Sequence, residues 1–222
     1  MKKVEFGIKA VTVLCFFGAV VYAVINGDFM VAGKCALGAL FAFLPDIIYA
    51  LSKKRISSVI CVLFYLFLLG AIFATEIFGF YSLIPHWDTL LHGFSGAVLT
   101  AFGFALVDLL NKPGTGRNLN PFFVALFAFS FALGIGALWE IYEYSFDCIL
   151  GMNMQRFLAS DGVVLSGQAA LYDTMKDIIV DCIAAIVTAF IGGTVLKVKG
   201  KNVNDHVVDS SLNKNKETTV QI

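Results

Sequence analysis

Apolar residues in this chain neither alternate nor keep to one stripe of a helix; they fill six long blocks separated by short polar runs. Each block holds about twenty residues or more, enough at 1.5 Å of rise per residue to cross about 30 Å of hydrocarbon. The expected fold is all-α, a polytopic membrane helical bundle with six transmembrane helices at residues 7–25, 29–51, 57–80, 86–110, 121–150 and 172–196. These make one bundle over residues 1–196. From 197 to 222 the pattern turns to Asn, Lys, Ser and Thr, too polar to bury a core, and a disordered cytoplasmic tail is expected.

Composition sharpens this. Of 222 residues, 59% are hydrophobic and 14% charged, against about 25% charged in a soluble domain. A formal net charge of zero removes the electrostatic footprint of a nucleic-acid binder. Cys15, Cys35, Cys61, Cys148 and Cys182 lie in apolar segments without a CxxC pair and read as small hydrophobes. The first block follows Lys2 and Lys3, but its length and the absence of a small-x-small cleavage site make it an anchor rather than a signal peptide.

Of the 16 basic residues, only Lys34, Arg156 and Lys176 lie away from the termini and alternate connections. The positive-inside rule then places both termini in the cytoplasm of a multi-pass cell-membrane protein. The fourth and sixth spans begin at the outer face and the fifth ends there. The connection over 151–171 is outer, an ordinary loop with a lid over the last two helices as the alternative, and the Pro113-Gly114-Thr115-Gly116 turn, beside Lys112 and Arg117, is a cytoplasmic loop without a phosphate-binding motif.

Seven titratable groups on three spans stand out against this background. Asp88 and His92 share one helix face; Glu140 and Glu143, with Asp147, form a stripe on the fifth span; Asp173, Asp177 and Asp181 form another on the sixth. All fall in the expected outer half, and Glu76, at the outer end of the third span, is expected near them. An Asp at the centre of a spanning helix costs about 2.5–3.5 kcal/mol to insert, so these groups need partners.

Two readings compete. In the structural one, Lys176, Arg156, His92, Tyr and Trp hydrogens and water pair the acids into polar glue between helices. In the functional one, a divalent metal cation of open identity is held by Asp88, His92, Glu140, Glu143, Asp173 and Asp177, with Asp181 and His92 as catalytic groups. Acids outnumber bases there, which favours the second. It implies a metal-dependent hydrolase or transferase acting on a lipid headgroup or cell-envelope precursor, with membrane lipids as surroundings. The alternatives are a cation- or proton-coupled transporter, in which Glu140 and Asp181 are the deepest titrating groups, and a noncatalytic scaffold. The sequence leaves the oligomeric state open.

Other residues carry plainer expectations. Asp46 and Asp108 lie near cytoplasmic helix ends, where hydration suffices. Trp87 reads as an interfacial anchor and Trp139 as packing. Gly93-Phe94-Ser95-Gly96 matches the GxSG string of rhomboid proteases, but no other span carries a histidine to activate Ser95. These glycines, Gly134 with Gly136, and Ala185 with Ala189 instead permit close helix approach.

The succession Trp87-Asp88-Thr89-Leu90-Leu91-His92-Gly93, Trp139-Glu140-Ile141-Tyr142-Glu143 and Tyr172-Asp173-Thr174-Met175-Lys176-Asp177 with Asp181 resembles the YjdF-like family of small bacterial inner-membrane proteins. It is also distantly similar to the VanZ-like group, in which an Asp and His on one helix precede a Glu-containing helix and an Asp-rich one. The likeness covers about residues 85–193. Members are largely without assigned chemistry; the VanZ-like link with glycopeptide resistance implies envelope substrates. Tyr144 follows Glu143 here, where a Gln tends to follow the VanZ-like Glu.

Overall fold

The computed structural model describes residues 2–110, 119–159 and 161–219, with side chains up to Val198. Six helical segments are long and apolar enough to cross a membrane: Lys2–Ile25, Phe29–Ser52, Ser58–Phe78, Trp87–Leu110, Pro121–Leu150 and Gln168–Val198. The first is α1 (Lys2–Ile25). The second joins α2 (Phe29–Phe41) to α3 (Leu44–Ser52). The third runs from α4 (Ser58–Leu68) through a π-helical turn (Leu69–Ala74) into α5 (Thr75–Phe78). After the short α6 (Phe80–Leu83) come α7 (Trp87–Leu110), α8 (Pro121–Leu150) and α9 (Gln168–Thr219). Helix α9 runs past residue 197, where the sequence pattern turns polar. The Pro113-Gly114-Thr115-Gly116 turn with Lys112 and Arg117 lies outside the described residues.

Local sequence explains the ends and breaks. Proline at 45 has no N–H to give the preceding turn and its ring crowds the carbonyl four residues back, so the second span divides at Ala42 and Phe43. Asp28 accepts from the Val31 N–H to start α2, and Asn120 accepts from the Phe122 N–H to start α8 with Pro121 in its first turn. Gly151, at φ 64°, closes α8 in the left-handed conformation that glycine adopts without steric cost. The π turn carries an internal bond from Thr75 Oγ1 to the Gly70 carbonyl, 3.1 Å, and Trp87 Nε1 donates to the same Thr75 oxygen, 3.1 Å. Trp87 is thus packed between the third and fourth spans, where it also meets Phe80 edge-on, rather than acting only as an interfacial anchor.

The spans assemble as two groups. The first three enclose an apolar core of Phe16, Ala19, Cys35, Cys61, Tyr65 and Leu68. Helices α7, α8 and α9 pack pairwise against one another, and α4 against α7 joins the groups. Small residues set the spacing in the second group: a Cβ on Gly103 would lie 2.8 Å from Ala128 Cα, and Ala185 is fully buried. Gly38 has the same role in the first group, its missing Cβ making room for the Phe16 ring.

Candidate functional site

Helices α7 and α9 begin, and α8 ends, at one end of the bundle. There the three helices turn carboxylates inward: Asp88, Glu140, Glu143, Asp147, Asp173, Asp177 and Asp181 are all buried, as is His92. The four-residue spacings put each set on one face, so helix packing brings the faces together.

The centre is His92. Its Nε2 lies 3.8 Å from Asp88 Oδ1 and 3.9 Å from Asp177 Oδ2, while Nδ1 is 3.1 Å from Asp181 Oδ2. One donor atom each from Asp88, His92 and Asp177 fall within 4.8 Å of one another. Both oxygens of Glu140 and Oδ1 of Asp177 are buried without a partner in hydrogen-bonding geometry, at residue exposures of 5% and 2%, with the Thr174 side chain facing Glu140 and the Lys176 ammonium 3.3 Å from Asp177 Oδ1. Glu140 is within electrostatic reach of His92, Asp173 and Asp181, and Glu143 of Glu140, Asp88 and His92.

Cationic groups rim the cluster. Lys176 Nζ is 3.3 Å from Asp177 Oδ1, 3.5 Å from Asp173 Oδ1 and 3.8 Å from Asp88 Oδ2. Arg156 reaches Asp88 Oδ2 and Asp173 Oδ1 at 3.6 Å each, with its side chain 46% exposed. These separations exceed the roughly 2.7–2.9 Å of a tight charge-assisted hydrogen bond. Tyr81 donates to Asp88 Oδ1 at 3.1 Å; burial first, then the Asp88 charge, hold its phenol well above the ordinary value and keep it a donor. Trp139 Nε1 donates to Glu143 Oε1 at 3.0 Å. The partners of the polar-glue reading are therefore present, yet among the described residues the six clustered acids have only three basic side chains within 4 Å, Lys176, Arg156 and His92.

The connection after α8 is built rather than loose. Asp147 accepts from the backbone N–H of Met154 and Gln155 at 2.7 and 3.0 Å, and Gln155 Nε2 donates to Thr174 Oγ1 at 2.8 Å. Arg156 follows directly, at φ 52°, a left-handed backbone that costs a non-glycine residue about 1 kcal/mol or more. The turn aims it at the cluster.

Asp88, His92 and Asp177 come together as expected, with Asp181 on the far side of the His92 ring. Asp173 joins through Lys176 and Arg156, and Glu140 and Glu143 join from α8. Glu76 does not belong: its Oε1 pairs with Lys34 Nζ at 2.8 Å on the second span, because α5 turns that side of its helix toward α2. Asp46 pairs with Lys9 Nζ at 2.5 Å while its side chain stays 59% exposed. Trp139 is a donor to the site as well as a packing residue. Of the glycines, Gly96 and Gly136 do admit close approach, whereas a Cβ on Gly134 would meet nothing within 4 Å. Two roles went unread in the sequence, those of Ser95 and Tyr81. Ser95 Oγ is 3.0 Å from Asp181 Oδ1, and its one sequence signal was the short Gly-x-Ser-Gly string. Nothing marked Tyr81, whose contact depends on how the α6 turn folds back.

A family model described as a predicted membrane protein (DUF2238) matches residues 8–198, which takes in the whole acidic cluster and all of the six spans but the first turns of α1. The YjdF-like resemblance agrees with that match. No curated protein and no solved structure matches the chain.

Proposed function

The chain belongs to the DUF2238 family of predicted membrane proteins, and from that premise we propose that it carries a divalent-cation site formed by Asp88 Oδ1, His92 Nε2 and Asp177 Oδ2. The observation that carries this reading is the meeting of those three donors from two helices within 4.8 Å, beside two buried Glu140 oxygens without a hydrogen-bond partner. Separations of 3.8 and 3.9 Å suit pairs of ligands held about 2.0–2.4 Å from a shared ion. Two carboxylates with one imidazole suit zinc, manganese or magnesium. Asp173, Glu143 and Glu140 supply further negative charge around it.

Asp88, His92 and Asp177 would hold the cation, which would supply Lewis acidity toward a phosphoryl or carbonyl oxygen and toward water. With both Asp181 oxygens engaged by His92 and Ser95, Glu140 is the carboxylate free to accept a proton. The activity that fits is hydrolysis or group transfer on a lipid headgroup or cell-envelope precursor entering from the outer half of the membrane. Metal analysis of purified protein supplied with magnesium, manganese and zinc tests it. About one ion per chain is expected, lost in Asp88→Asn and Asp177→Asn and retained in Glu76→Gln. A wild-type protein that retains none of the three ends the reading.

A second reading rests on Glu140 itself. A buried carboxyl with both oxygens unpartnered is also what a cation- or proton-coupled transporter places on its path. Cation uptake into proteoliposomes that disappears in Glu140→Gln would favour it.

A further inference from the structure

We infer that Asp181, clamped by Ser95 and seated between two glycines, is the positioning group that fixes His92 with its Nε2 facing the cation. The inference rests on the cation reading above and adds what holds the imidazole in place.

Four observations converge on this carboxylate. Oδ2 is 3.1 Å from His92 Nδ1. Oδ1 is 3.0 Å from the Ser95 hydroxyl, whose single hydrogen is shared between that carboxylate and the His92 carbonyl at 2.9 Å. A Cβ on Gly136 of α8 would stand 2.6 Å from Asp181 Oδ2, and one on Gly96 of α7 would stand 2.8 Å from the Asp181 carbonyl oxygen. Only glycine at both places lets α8 close on the Asp181 carboxylate and α7 on the Asp181 main chain, and the residue is 3% exposed.

A neutral imidazole carries one N–H. A carboxylate at Nδ1 takes that hydrogen, which leaves the Nε2 lone pair directed at the space shared with Asp88 and Asp177. Partners of this kind orient metal-ligating histidines and raise their basicity. The arrangement also accounts for the Gly-Phe-Ser-Gly string: Ser95 and His92 do not bond through the ring but share Asp181, so the serine steadies the carboxylate and is not a nucleophile.

The test uses full-length protein in detergent, with zinc alone as probe and ¹⁵N-labelled histidine. His92 signals are assigned by their loss in His92→Gln. Wild type is expected to show a hydrogen-bonded Nδ1–H and, with zinc, a ligated Nε2. Asp181→Ala should lose the Nδ1–H signature and bind zinc about 10- to 100-fold more weakly. Ser95→Ala, a milder change that keeps the carboxylate, should weaken zinc in the same direction, and Asp181→Asn, which keeps an acceptor, should recover part of the affinity. Unchanged zinc affinity in both Asp181→Ala and Ser95→Ala, or no bonded Nδ1–H in wild type, overturns the positioning role. An intact Nδ1–H signature in a wild type that binds no zinc overturns the cation reading instead and leaves His92 held by Asp181.

Discussion

Glycine 136 shows how little room the site allows. Its missing Cβ is occupied by Asp181 Oδ2, so Gly136→Ala forces the carboxylate to move, and Gly96→Ala meets the Asp181 backbone, which has less freedom to yield. Overpacking of this kind costs about 1–3 kcal/mol, with Gly96→Ala the larger loss. Gly134→Ala, with nothing within 4 Å, is expected to be neutral or slightly stabilising through helix propensity. Thermal unfolding of the three variants in detergent ranks them, and equal midpoints would remove the close approach from the account. Glu140 gives a sharper expectation. Its unpartnered carboxyl is a liability without a cation and an asset with one, so Glu140→Gln should melt above wild type in chelator and gain less from added zinc. A variant that melts below wild type in chelator would show that the acid has a structural partner. The choice of residues was legible because acids are rare and costly in apolar spans; their pairing was not, because it depends on rotation and depth that one sequence leaves free. Glu76 illustrates the gap, having the right depth and facing the other way.

At the scale of elements, the connection between α8 and α9 decides where Arg156 sits. The sequence leaves this connection an outer loop or a lid, since its hydrogen-bond acceptor, Asp147, is placed by spacing as the last member of the acidic stripe. In the fold that carboxylate faces the chain that follows its own helix and accepts two backbone N–H groups just past the Gly151 cap. Hydrogen bonds to a charged acceptor contribute about 1.5–3 kcal/mol, so Asp147→Ala should unfasten the turn locally. Amide hydrogen exchange is expected to accelerate at Met154 and Gln155 while helix α7 stays protected. Unchanged exchange at those two amides would mean that the turn holds itself. The divided second span teaches a related lesson: Pro45 announced the break, but hydropathy alone ran straight through it. The π turn had no such announcement, because an extra residue in a helix leaves composition unaltered.

For the whole molecule, the six spans were the most legible feature, since length and apolarity alone decide them. Which side of the membrane the acidic end faces rests on the distribution of Lys and Arg. Lys2, Lys3, Lys9, Lys53, Lys54 and Arg55 gather at the opposite end from Asp88 and Asp173, and on the positive-inside rule that bias predicts a cytoplasmic basic end. Lys34, Arg156 and Lys176 are the exceptions, engaged by carboxylates of Glu76, Asp88, Asp173 or Asp177, and as three of 16 basic residues they leave the count one-sided. With the exposed Cys148 replaced by Ser, a membrane-impermeant maleimide should therefore label Asp161→Cys in intact cells, and Arg55→Cys only after the cells are opened. The reverse pattern would turn the cluster toward the cytoplasm. The cation geometry would be untouched, but the substrate would then have to come from the cytoplasmic leaflet, and envelope precursors on the outer face would be excluded.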